Sequence, residues 1–163
     1  NMTQAAGFYN TMLASDDPAL IIEPLNAYRL KEKLPSNVGS YRIPLGVPEI
    51  LAEGTDVTIV SYGSTCRLAQ EAVTSARKEG KKVGMIRPIT LWPFPYAILQ
   101  ELALKGAEFL AVEDSMGQMV ADVKIGVEGK ARVHFLGVFA RHIPTDGGMI
   151  LPHRVLEEIR RLL

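Results

Sequence analysis

Cysteine is all but missing from this sequence: Cys66 stands alone, which excludes an internal disulfide framework. An excess of one charge is missing as well, since Lys and Arg together number 18 and Asp and Glu together number 18. That balance excludes the basic surplus expected of a nucleic-acid binder and leaves little self-repulsion to oppose association with partners. No apolar run approaches the ~20 residues needed to cross a bilayer. The opening Asn1-Met2-Thr3-Gln4 has neither the basic nor the apolar part of a secretory signal, and it does not read as a natural beginning. His134, His142 and His153 lie apart, with no cysteine or paired carboxylate at ligand spacing, so no metal site is expected. G-x-G-x-x-G is absent. The expectation is a soluble, cytoplasmic fragment with no nucleic-acid and no membrane partner.

The pattern that is present begins at residue 3. Ala6, Phe8, Tyr9, Met12 and Leu13 recur at helical spacing over 3–14, and Ser15-Asp16-Asp17-Pro18 breaks it. Ala19-Leu20-Ile21-Ile22 has the look of a buried strand, and the polar stretch 26–40 reads as a linker. One helix and one strand are too little for a core, so these first 24 residues either dock on the rest or belong to another domain.

Residues 49–53 suit a short edge strand after Pro48, and the β-branched run at 57–61 suits a central strand. Gly63-Ser64-Thr65 opens a helix with Leu68, Ala69, Ala72, Val73 and Ala76 on its apolar face, and Gly80 closes it. A strand at 82–86 follows. Pro93 and Pro95 then lead into a helix through Leu99, Leu102 and Ala103, with Gly106 just past its end. The sequence continues with a strand at 108–112, a helix at 115–127, a strand at 132–137 and a glycine-rich loop. A final helix at 152–163 presents Val155, Leu156, Ile159, Leu162 and Leu163 on one face. Such alternation predicts an α/β fold in three layers, α/β/α, around a mostly parallel sheet.

Two stretches carry a resemblance. Glu23-Pro24, Tyr28-Arg29-Leu30, Tyr41-Arg42-Ile43-Pro44-Leu45-Gly46 and Gly54-Thr55-Asp56-Val57-Thr58-Ile59-Val60-Ser61-Tyr62-Gly63 resemble the β subunits of pyruvate and branched-chain 2-oxoacid dehydrogenases. Val83-Gly84-Met85-Ile86-Arg87-Pro88-Ile89-Thr90-Leu91-Trp92-Pro93-Phe94-Pro95 and Met116-Gly117-Gln118-Met119-Val120 are similar to the α subunits of 2-oxoacid:ferredoxin oxidoreductases. The chain is therefore dehydrogenase-like to about residue 76 and ferredoxin-oxidoreductase-like from about residue 80. Both branches share the C-terminal, transketolase-like domain of thiamine-diphosphate enzymes.

The resemblance implies a five-stranded mixed sheet with one antiparallel edge strand. It also implies that 1–24 close an upstream pyrimidine-binding domain, that 25–40 are a linker, and that 41–163 are the transketolase C-terminal-like domain. Thiamine diphosphate and magnesium belong to the parent enzyme and are held elsewhere. This fragment is expected to bind no cofactor and to supply no catalytic residue. Its implied role is in assembly or regulation, as part of a homo-oligomer or against a partner subunit.

The candidate sites follow. Gly63, Ser64 and Thr65 mark a helix N-terminus that could take a phosphate or carboxylate, although capping by Ser64 or Thr65 is the plainer reading. No Lys follows as a phosphate loop demands, and Gly63-Ser64-Thr65-Cys66 fails the G-x-S-x-G of a hydrolase elbow. With the strand order of the resembled family, Ser115, Gly117 and Gln118 face this turn across a crevice. The crevice suits a nucleotide or coenzyme A, the alternative reading of a small-ligand module. Cys66 sits where a helix start lowers a thiol pKa, yet nothing beside it in the sequence supports catalysis, and a packed thiol is expected. Of Glu113 and Asp114, Asp114 reads as a cap and neither as catalytic. Trp92, Phe94, Leu162 and Leu163 are candidate interface contacts.

Overall fold

Val57–Ser61 is buried at all five positions, and the architecture of residues 46–163 is built around this strand. The computed structural model describes residues 1–29, 31–138 and 149–163. They form two compact units, Asn1–Leu45 and Gly46–Leu163.

In the first unit α1 spans Met2–Leu13, and the Asn1 side chain accepts the Gln4 N–H at 2.8 Å. Residues 41–43 lie along it. Asn10 Nδ2 donates to the Val38 and Tyr41 carbonyls at 2.7 and 2.8 Å, and Thr11 Oγ1 donates to the Ile43 carbonyl at 2.7 Å. Gly7 is required for this approach, since a Cβ there would lie 2.7 Å from Ile43 Cγ1. These bonds hold 41–43 against α1 within the first unit. A short 3₁₀ turn covers Leu25–Arg29. The strand expected at 19–22 is not formed. Leu20 and Ile22 are 86% and 74% exposed, and the described residues of this unit contain no strand with which the segment could pair.

The second unit runs β1 (Glu49–Ala52), β2 (Val57–Ser61), α2 (Gly63–Lys78), β3 (Val83–Arg87), α3 (Tyr96–Leu104), β4 (Glu108–Val112), α4 (Met119–Val127), β5 (Val133–Leu136), α5 (Pro152–Leu162). The sheet order is β1-β3-β2-β4-β5. Four strands are parallel and β1 is an antiparallel edge with a bulge between Ile50 and Ala52.

Alternation along the strands builds the layers. Val57 and Ile59 of β2, with Leu110 and Val112 of β4, face α2 and α5. Val60, Phe109 and Ala111 face α3 and α4. Each such wholly buried large side chain contributes roughly 1.5–3 kcal/mol. Backbones also meet closely: a Cβ on Gly54 would lie 2.2 Å from the Gly84 nitrogen.

Several boundaries differ from expectation by a residue, and one by four. The helix expected at 115–127 begins at Met119, because residues 113–118 form a turn tied to its N-terminus. The strand expected at 132–137 is Val133–Leu136. The glycine-rich loop after it, with His142, lies outside the described residues.

Candidate functional site

The strand order reverses between β2 and β4: the chain leaves β2 for β3 on one side and returns to β4 on the other. Ser61 pairs in register with Val112, so the connections leaving these two strands are neighbours at the C-terminal edge of the sheet. The candidate residues Gly63, Ser64 and Thr65 lie on one side of this crevice, and Ser115, Gly117 and Gln118 on the other. This is where open α/β sheets bind ligands.

On the first side, α2 begins after Tyr62, whose side chain makes no capping bond. Thr65, expected as a cap, turns the other way. Its hydroxyl donates to the Tyr62 carbonyl at 2.7 Å and takes the Ser61 hydroxyl at 3.0 Å, tying the helix back to the strand. Ser64 is exposed. Gly63 has a φ of +59°, in the left-handed region where glycine carries little strain, with open space around it.

On the second side the organising group is Glu113, which is wholly buried. Its carboxylate accepts the Ser115 hydroxyl at 2.7 Å and the N–H groups of Met119 and Val120 at 2.8 and 2.9 Å. Ser115 Oγ in turn accepts the Gly117 N–H at 3.2 Å, and Gln118 stands exposed at the head of α4. Glu113, not Asp114, therefore caps α4. The two adjacent acids do diverge, with Asp114 directed to solvent. A carboxylate already occupies the positive end of the helix, which leaves it no room for an anionic ligand.

The half-buried Tyr62 hydroxyl is held above its ordinary pKa first by burial and then by the charges of Glu113 and Asp114.

Cys66 is 5% exposed, and burial pushes its thiol up, outweighing the opposing pull of the Arg87 guanidinium. The lowering expected from a helix start does not prevail. His134 is paired with Glu108 at 3.1 Å across β5 and β4, and His153 is exposed. Among the described residues no group of three His, Cys, Asp or Glu side chains is placed to hold a metal, and no helix is long and apolar enough to cross a membrane.

The four interface candidates separate. Trp92 is 85% exposed and Leu163 43% exposed. Leu162 is half-buried against the core beneath α5. Phe94 is no surface residue: it packs in the core over Val60 and Ile86, its ring 5.4 Å from that of Tyr96. A depression of about 500 Å³ lies away from all these residues, between α2 and β1, floored by Val73 and Met85. Arg77 at its side donates to the Glu53 and Val83 carbonyls at 2.6 and 2.8 Å.

Residues 55–151 match the family profile of pyruvate:ferredoxin oxidoreductase core domain II. The chain is 47% identical over 77 residues to the ketoisovalerate oxidoreductase subunit VorB of Methanothermobacter marburgensis, covering 47% of this chain and 22% of that one. It is 33% identical over 115 residues to the mitochondrial 2-oxoisovalerate dehydrogenase subunit beta of Chaetomium thermophilum, covering 69% and 24%. Both branches seen in the sequence are thus represented, and the chain spans only about a quarter of the length of these relatives. In fold it is similar to a split-gene transketolase solved as an inactive beta4 tetramer, with a TM-score of 0.65, 22% identity, and coverage of 77% of this chain and 44% of that one.

Proposed function

Because the chain belongs to the pyruvate:ferredoxin oxidoreductase core domain II family, we propose that it is the C-terminal domain, with a short preceding segment, of a larger thiamine-diphosphate-dependent enzyme that oxidatively decarboxylates a 2-oxoacid of the pyruvate or branched-chain type. Its contribution there is assembly rather than chemistry. The observation that carries this reading is the family match over 55–151, laid on a sheet of the order β1-β3-β2-β4-β5.

The described residues do not fit thiamine diphosphate and its magnesium. No cluster of hard oxygen ligands is assembled, and the α4 N-terminus that might face a diphosphate is filled by Glu113. In this reading both groups are assigned to other parts of the parent enzyme, as the family resemblance implies, and no catalytic step is assigned to this chain.

Residues 1–24 are the end of a pyrimidine-binding domain and 25–40 a linker. Leu13, Leu20, Ile22 and Leu25, each more than 70% exposed, suit a segment that packs on such a domain. The alternative, a nucleotide or coenzyme A module using the crevice, is disfavoured by the Glu113 carboxylate, which already takes the Met119 and Val120 N–H groups at the head of α4. Titration calorimetry of this chain with thiamine diphosphate and magnesium tests the assignment. No heat of binding is expected, and micromolar affinity would contradict it.

A further inference from the structure

We draw no further inference here: the strongest candidate, the open depression between α2 and the edge strand β1, is floored by core side chains closed to solvent, Val73 at 3% and Met85 at 0% exposed, its Arg77 is given to the Glu53 and Val83 carbonyls, and nothing in the structure shows what covers it.

Discussion

The carboxylate of Glu113, closed off from solvent at the end of β4, accepts the backbone N–H of Val120 at 2.9 Å, seven residues ahead in the chain. This bond, with its companions to Met119 and Ser115, converts the end of a strand into the cap of the next helix. Glu113→Ala would orphan two buried N–H groups and a hydroxyl and should cost about 3 kcal/mol. Glu113→Gln, which keeps an acceptor oxygen, should cost less. Urea unfolding of the two variants checks the order, and equal losses would show that the cap is not the source of the stability.

Gly54→Ala should be strongly destabilising, on the order of 3 kcal/mol, because its Cβ would lie 2.2 Å from the Gly84 nitrogen and only backbone movement can relieve the contact. Gly80→Ala meets open space at a φ of +84° and should cost only the left-handed backbone strain, about 1 kcal/mol. Thermal unfolding of the pair separates the two causes.

Tyr62 links stability to alkaline pH. Its folded pKa is raised, by burial first and then by Glu113 and Asp114, so its contribution is fully present below the ordinary tyrosine value of about 10 and is lost as pH rises from there through the folded value. Tyr9, Tyr28 and Tyr96 are also raised. The wild type should therefore lose stability above about pH 10, and Tyr62→Phe should lose less. Identical pH profiles for the two proteins would remove Tyr62 from the account.

Hydrogen exchange should find amides between Ser15 and Glu23 exchanging early, while Val57–Ser61 and Glu108–Val112 stay protected, since the first stretch has no regular backbone pairing and the strands are buried. Comparable protection in both regions would contradict the isolation of the 19–22 segment.

The parallel sheet was legible in the sequence because its strands are short apolar runs with β-branched residues, as in Val57-Thr58-Ile59-Val60, spaced by helical periodicity. Residues 19–22 carry the same signal, but a strand exists only with a partner, and composition says nothing of whether one is present. Phe94 and Trp92 illustrate another limit: two residues apart in an aromatic segment, one fills the core and the other faces solvent, a choice made by the loop's path rather than by residue type. Strand order was enough to bring the turns at 63–65 and 113–118 to neighbouring strand ends, but not to show how the second turn is held. The decisive group, Glu113, passed as an unremarkable acid, because its reach to residues 119 and 120 depends on a turn that no spacing rule encodes. The available signal was an acid ending a strand with serine two residues on and a helix beginning at the sixth.

The central claim is that this chain is an assembly domain of a 2-oxoacid-oxidising enzyme whose chemistry lies outside it. Its most direct test is 2-oxoacid-dependent reduction of a viologen acceptor, with thiamine diphosphate, magnesium and coenzyme A supplied, by the complete enzyme and by residues 1–163 alone. The complete enzyme should turn over pyruvate or a branched-chain 2-oxoacid and the isolated chain should give only background. Turnover by the isolated chain, or a complete enzyme inert toward every 2-oxoacid tried, would contradict the account.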